Sequence, residues 1–227
     1  MTLDILYEDQ DIIVVHKPAG LATQTRRIGE QDLESLLRNH RASGGEDPYI
    51  GVVHRLDQPV EGVMVFAKTK AAAGDLSRQV SERILGKHYY ALVSAADAED
   101  FADDAFSKEA WTTLENAMVT DKRTNVSRIV PEGTAGSKKA KLEYRLVERQ
   151  GDRALLDIKL HTGRQHQIRL QLSHMGCPIL GDRKYGGADW EKRQLALCSY
   201  QLEIQHPSRH EPMTWTIPKE GVGFLTP

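Results

Sequence analysis

Three short stretches of this sequence hold side chains whose types and spacing suit chemistry. The first is Gly51-Val52-Val53-His54-Arg55-Leu56-Asp57-Gln58-Pro59-Val60-Glu61-Gly62, a polar insert between two apolar runs. That setting places Asp57 at a sheet edge or in a cleft, where a carboxylate needs a cationic or hydrogen-bonding partner to stay ionised. A carboxylate so held is a competent nucleophile. An aspartate in a loop more often caps its own turn, and on the loop alone this use stands slightly ahead. The second stretch is Gly163-Arg164-Gln165-His166-Gln167-Ile168-Arg169. Its two arginines fall in the first turns of an expected helix, where positive charge opposes the macrodipole at a cost of ~0.3–1 kcal/mol. Such a cost suggests a target, either a buried carboxylate or a phosphate, both of which the guanidinium fork can grip. Two solvated arginines fit the same residues. The third stretch is Lys87-His88-Tyr89-Tyr90. One tyrosine there could face a cleft as a stacking platform for an extruded base while its neighbour packs inward, although most strand tyrosines are structural.

The elements that must position these groups follow from periodicity. Asp11–His16 is a β-branched strand running into the turn Lys17-Pro18-Ala19-Gly20. Leu33, Leu36 and Leu37 predict a helix over about 30–41, and Leu76, Val80 and Ile84 another over about 69–85. Val52-Val53 and Val63–Ala67 flank the Asp57 insert as two buried strands. Tyr89–Val93 is a strand, and the alternating residues of 142–146 and 154–160 make two half-buried ones. A helix is expected between Gly163 and Gly176, capped by Thr162 and Gln165 and ended by Gly176-Cys177-Pro178. Leu195–Ile204 and Met213–Ile217 supply late strands. This order predicts an α+β fold with a largely antiparallel mixed sheet, in one catalytic domain over 1–227 with surface loops or arms near 95–109 and 120–139.

Composition narrows the function classes. With 227 residues, 40% hydrophobic and 27% charged, the chain can bury a core without disulfides or a structural metal. Its net charge of -2 gives no general sign of polyanion binding, yet charge is unevenly spread. Residues 97–109 are acidic, whereas Lys122, Arg123, Arg128, Lys138, Lys139, Lys141, Arg145 and Arg149 are nearly free of acids. They could form one basic surface or simply two solvated loops of opposite sign. Cys177 and Cys198 match no metal spacing, and His54, His161, His166 and His174 do not cluster as zinc ligands do. No signal peptide and no apolar run of about 20 residues is present, so a reduced, cytoplasmic location is expected.

Taken together, these stretches resemble the RluA-type group of RNA pseudouridine synthases. The resemblance is specific at His54-Arg55-Leu56-Asp57 followed by Gly62, and at Gly163–Arg169. Supporting marks are Tyr7-Glu8-Asp9, Lys17-Pro18-Ala19-Gly20-Leu21, Lys87-His88-Tyr89, Gly176-Cys177-Pro178-Ile179, Gly181-Asp182 and Tyr185-Gly186. The resemblance implies isomerisation of uridine in ribosomal or transfer RNA, with Asp57 as nucleophile or as the base that starts glycal formation. It also implies Tyr89 at the target base, where it helps remove the C5 proton, and Arg169 as the countercharge to Asp57. Arg55, with His54, Arg164, His166 and Gln167, is the expected RNA-contacting set. No cofactor, metal, membrane or obligate protein partner is implied, and a monomer is expected. The sequence departs from the family at Val60-Glu61, where Thr-Ser is usual, and the family motif starts close to Met1, leaving no expected accessory RNA-binding domain before it. Two other functions compete. A glycoside-processing hydrolase could pair Asp57 with Glu61, since retaining enzymes hold their carboxyl groups ~5–5.5 Å apart, but it leaves Gly163–Arg169 unexplained. A non-catalytic RNA-binding module has no need of Asp57.

Overall fold

The structure, a computed structural model, describes residues 3–25, 27, 29–95 and 110–226. In chain order the elements are β1 (Asp4–Glu8), β2 (Ile12–Lys17), α1 (Leu33–Ser43), β3 (Gly51–Val52), β4 (Glu61–Ala67), α2 (Lys70–Ser81), β5 (Gly86–Ser94), β6 (Thr112–Asp121), β7 (Val126–Val130), β8 (Lys138–Gln150), β9 (Arg153–Leu160), α3 (Gln167–His174), β10 (Leu197–Gln205) and β11 (Pro212–Thr216), followed by a 3-10 turn at Lys219–Gly221. The chain divides into two compact units. Unit 1 holds the residues up to Gly86 together with those from Ser199 on, and unit 2 holds Lys87–Cys198.

In unit 1, β2 pairs with β1 and β4, β3 pairs with β4, and β10 pairs with β11, all antiparallel. Ile12–Val15 and Val63–Ala67 are fully buried, so this part of the sheet is covered on both faces and its strands are continuous apolar runs. The register sets Lys17 opposite Gly62 and His16 opposite Val63, which brings the end of β2 to the start of β4. Asp32 caps α1 by accepting from the Ser35 N–H, and Thr69 caps α2 through Ala72.

Unit 2 is an antiparallel meander in which β9 pairs with β5 and β8, and β6 pairs with β8 and β7. One face is core, formed by Tyr89, Ala91 and Val93, by Ala154, Leu156 and Ile158, and by Ala140, Leu142 and Tyr144. The α+β class and the largely antiparallel sheet therefore hold in both units. Among the described residues no helix is long and apolar enough to cross a membrane.

Several boundaries differ from expectation for local reasons. Helix α2 stops at Ser81 because Arg83 adopts a left-handed backbone, φ 62°, and Ile84 is left exposed rather than on a helix face. The stretch 120–139 is not one loop: β6 and β7 form a hairpin within it, and residues 131–137 link that hairpin to β8. Of the stretch 95–109, Ala95 is buried, and residues 96–109 lie outside the described residues. Strand β1 was hidden in the sequence by its mixed composition.

Asp9, in the β1–β2 turn, ties the ends of unit 1 together. Its Oδ1 accepts from the Asp11 and Ile12 N–H groups, and its Oδ2 from the Tyr7 hydroxyl, Arg209 Nη1 and the wholly buried His206. His206 Nδ1 accepts backbone N–H groups of Ser208 and Arg209, so its Nε2 carries the proton it gives to Asp9. Burial alone would raise the Asp9 pKa, but these bonds outweigh it and hold the carboxyl well below the usual range. Its stabilisation is thus present above the unfolded carboxylate pKa and lost as pH falls through the lowered folded one. Asp9→Ala is expected to cost about 2–3 kcal/mol at neutral pH. Urea unfolding should show that gap narrowing as the pH is lowered below about 4.

Candidate active site

The Asp57 loop is shaped by bonds on either side of the aspartate. Before it, Thr23 Oγ1 donates to the Leu56 carbonyl at 3.0 Å and accepts from the Leu56 N–H at 3.3 Å. After it, the Val60 N–H closes a tight turn onto the Asp57 carbonyl. The Gly20 N–H donates to the Gln58 carbonyl at 2.9 Å, and the Gln58 side chain returns a bond to the Gly20 carbonyl. Leu56 and Val60 are buried, which pins the loop and leaves Asp57 half-buried between them. His54 is also buried, its Nε2 accepting from the β4 backbone at Val65, so it anchors the loop from within. Arg55 is exposed, with a long bond of 3.4 Å to the Gln24 carbonyl.

Beneath this loop lies Lys17, which has no solvent exposure. Its Nζ donates to the carbonyls of Leu21 at 2.7 Å, Pro18 at 3.0 Å and Gln58 at 3.2 Å, using all three donors of an ammonium. Burial pushes this ammonium down to about 8, while the carboxylates of Asp57 and Glu61 pull it back up. Within unit 1, Asp57 therefore faces a buried positive charge. Val60 packs in the core, and Glu61 is a buried residue of β4. Its Oε2 lies 3.9 Å from His16 Nε2, and burial raises its pKa against the opposing effects of His16, the N–H groups of Gly223 and Phe224, and Lys17. A carboxyl enclosed in this way is poorly placed to serve as the second acid of a glycosidase. Gly62 is required by close packing: a Cβ there would lie 2.6 Å from the backbone N of Ser199, at φ 141°.

In unit 2, Tyr89 lies on the buried face of β5 and Tyr90 on the opposite face. The expected helix starts later than predicted. Helix α3 begins at Gln167, and residues 163–166 form the turn before it. The cap also shifts: Thr162 donates to Gln167 Oε1, which accepts from the Arg164 N–H, so Gln167 takes the part expected of Gln165. Arg169 is left in the first turn. Its Nε and Nη2 grip both oxygens of the fully buried Asp182, at 2.8 and 2.7 Å, a bidentate pair that offsets the unfavourable dipole. Asp182 also accepts from the backbone of Lys184 and Tyr185, and the Arg169 guanidinium lies 5.3 Å from the Tyr185 ring centroid.

The Tyr185 hydroxyl accepts from the Ser127 N–H at 2.9 Å and meets His166 Nδ1 at 2.8 Å. The hydroxyl thus joins the imidazole to the backbone of β7. This contact holds His166 in a left-handed backbone at φ 54°, a conformation that persists only where surroundings enforce it. Of the expected RNA-contacting set, His54, His166 and Gln167 are buried and bonded within the protein, whereas Arg55 is exposed and Arg164 half-buried. Asp182 and Tyr185 are positioning groups that the residue types alone did not identify. Their sequence signal was Gly181-Asp182 and Tyr185-Gly186, visible as marks without a role.

Comparison with known proteins gives first the class. Human RNA pseudouridylate synthase domain containing 1 superposes with a TM-score of 0.74 at 26% identity, covering 99% of this chain and 86% of that one. Human RNA pseudouridylate synthase domain containing 4, at 22% identity and a TM-score of 0.70 over 94% and 87% of the two chains, shares the fold. Residues 11–174 match the family described as RNA pseudouridylate synthase, and the chain belongs to that family. The ribosomal large subunit pseudouridine synthase D of Nitrosomonas europaea is 34% identical over 95% of this chain and 62% of its own length. An uncharacterized RNA pseudouridine synthase of Aquifex aeolicus is 36% identical over 95% and 69%. The chain thus spans about two thirds of the length of these relatives.

The buried Arg169–Asp182 pair generates a stability prediction. Asp182→Asn leaves a buried guanidinium without its bidentate partner, and urea unfolding should show a loss of about 3–5 kcal/mol.

Proposed function

We propose that this chain isomerises uridine to pseudouridine within RNA, with Asp57 as the catalytic nucleophile. The observation that carries this reading is the Asp57 loop, clamped on both sides by Thr23 and Lys17 in a chain of this family. In the proposed reaction Asp57 displaces the base from the ribose carbon, breaking the N–C bond. The base turns, its C5 bonds to the same carbon, and Asp57 is released. The C5 proton passes to solvent and the former glycosidic nitrogen takes one up, so the change is an isomerisation without a net redox step or a cofactor. Tyr89 and Arg169 carry, by resemblance, the base-contacting and countercharge roles, and residues 1–227 act as one catalytic domain. Arg55 and Arg164 are the proposed phosphate contacts, since a guanidinium retains its charge and accepts phosphate geometry.

Ribosomal RNA of the large subunit is the proposed substrate, supported by the names of relatives such as the Nitrosomonas europaea protein. The proposed setting is the cytoplasm, as a monomer without an obligate protein partner.

Tritium release from RNA labelled at uridine C5 tests the reading. The native chain should release tritium from ribosomal RNA, and Asp57→Asn should reduce the rate on the order of a thousandfold or more. Absence of release from every cellular RNA sinks the synthase reading, undiminished release in the variant removes Asp57 from its role, and release from transfer RNA alone reassigns the substrate.

A further inference from the structure

We propose that the cavity lined by the β1–β2 turn, the end of α1 and the segment after β4 binds a phosphate group, which displaces the Glu46 carboxylate from two buried cations. This cavity, of about 730 Å³, lies wholly within unit 1. It stands apart from the Asp57 loop. That loop enters β4 at Glu61, whereas Lys68 follows the last residue of the strand, Ala67, about 20 Å further along. Two of the lining groups are cations withdrawn from water, Arg41 with 7% and Lys68 with 6% of the side chain exposed. Buried charge of this kind needs compensation. For Lys68 it comes from Glu8 of β1, at 2.7 Å. Arg41 Nη1 donates to the carbonyl of Tyr49 and, at 3.0 Å, to that of Lys68, which fixes the guanidinium in place.

Glu46 is a different kind of partner. Half of its side chain is exposed, and it belongs to the turn after Gly44-Gly45, where its own N–H donates to the Arg41 carbonyl at 3.0 Å. It meets both cations through a single oxygen, Oε2, at 3.2 Å from Arg41 Nε and 3.3 Å from Lys68 Nζ. Charge-assisted bonds of good geometry are shorter, at ~2.7–2.9 Å. The Nε–Nη2 edge of a guanidinium can take two oxygens at once, as Arg169 does with Asp182. In Arg41 only Nε of that edge is engaged, and Nη2 has no hydrogen-bond partner among the described residues. A phosphate can use what the carboxylate leaves idle, with one oxygen on Nε, a second on Nη2 and a third on Lys68 Nζ. The charges agree. Arg41 and Lys68 share the cavity wall with the carboxylates of Glu8, Asp9 and Glu46, and Arg209 compensates Asp9 from 3.1 Å. These three cations and three carboxylates balance, so turning Glu46 out into solvent leaves one positive charge for an incoming anion. His40, with Nε2 3.2 Å from Glu8, is the remaining titratable group on the wall. Lys68 and then Arg41 hold the Glu46 carboxyl below its usual range, so at neutral pH it competes for the site as an anion. A half-exposed ion pair contributes little stability, and little is lost in exchanging it.

Titration of the full chain with inorganic phosphate, against chloride at matched ionic strength, tests the site when the arginine Nε–Hε signals are followed by NMR. The Arg41 signal should move with phosphate in the native chain. In Glu46→Ala, which removes only a half-exposed side chain, the Kd read from that signal should fall by roughly fivefold. Arg41→Lys keeps the charge but removes the fork, and adding it to Glu46→Ala should abolish the gain. Should the double variant fail to fold, the Arg41 signal of Glu46→Ala decides alone. A short RNA carrying a 5′-phosphate, and the same RNA without it, distinguish the sources of the group. Movement of the Arg41 signal with the first alone supports a terminal phosphate, with both a phosphodiester, and with inorganic phosphate alone a free anion. An Arg41 signal that stays still in Glu46→Ala, or a phosphate affinity that does not rise when Glu46 is removed, overturns the inference.

Discussion

A lysine without solvent exposure is an expensive group to keep charged, and much of unit 1 is arranged around keeping Lys17 so. Its ammonium gathers the carbonyls of Pro18 and Leu21 from one segment and of Gln58 from another, 41 positions further along the chain. The two segments that carry the family's motifs are thereby held as one object. Thr23 repeats the join on the other side of Asp57, using one hydroxyl to satisfy both the N–H and the carbonyl of Leu56. A loop without regular structure would ordinarily leave these backbone groups to water. Here they are satisfied by side chains, Lys17 at the end of β2 and Thr23 in the segment after it, which fixes the loop without making it a helix or strand. Asp57 supplies charge to Lys17, and Lys17 supplies geometry to Asp57.

Unit 2 solves a similar problem with the signs reversed. The fully buried acid is Asp182, and it is satisfied by a bidentate guanidinium and two backbone N–H groups. Arg169 enters this pair from the first turn of α3, where its charge opposes the helix dipole, and the bidentate bond exceeds that modest cost. Tyr185 then extends the arrangement outward. Its ring lies beside Arg169, and its hydroxyl joins His166 to the backbone of β7 through Ser127. The β6–β7 hairpin, the turn before α3 and the Asp182–Tyr185 segment are consequently tied at one phenol. Burial pushes that phenol up, against the Ser127 N–H and Arg169, so it remains protonated.

The sequence made some of this legible and concealed the rest for physical reasons. Runs such as Ile12–Val15 and Val63–Ala67 are buried on both faces, and continuous apolar character marks them plainly. Periodicity located α1 and α2 but overran the end of α2, because a left-handed residue such as Arg83 ends a helix without the glycine that would announce it. The same applies at His166, where a left-handed backbone delayed α3 and moved the cap from Gln165 to Gln167. Asp57 was visible from its setting and motif. Its unit 1 countercharge was not, since Lys17 stands in a strand-to-turn motif whose residue types suggest only a turn. Burial is a property of long-range packing, and nothing within residues 17–21 states that the lysine points inward. Asp182 was hidden likewise: an aspartate after a glycine in a loop has many uses, and its bidentate partner lies 13 residues earlier.

Val60-Glu61 shows how a local departure is absorbed by its surroundings. Val60 exchanges a hydroxyl for core packing and leaves the Asp57–Val60 turn closed by the backbone alone. Glu61 puts a carboxylate into a space that a smaller side chain would fill more easily. Gly223 packs against its oxygens, while Gly62 lets β10 approach the adjacent backbone. The bulk could have been accommodated by many arrangements, but the charge could not. It lies in a region shielded from water, 3.9 Å from His16 Nε2, and the N–H groups of Gly223 and Phe224 and the Lys17 ammonium oppose the effect of its burial. The departure therefore sets a buried carboxyl beside His16 rather than remaining a neutral change of packing.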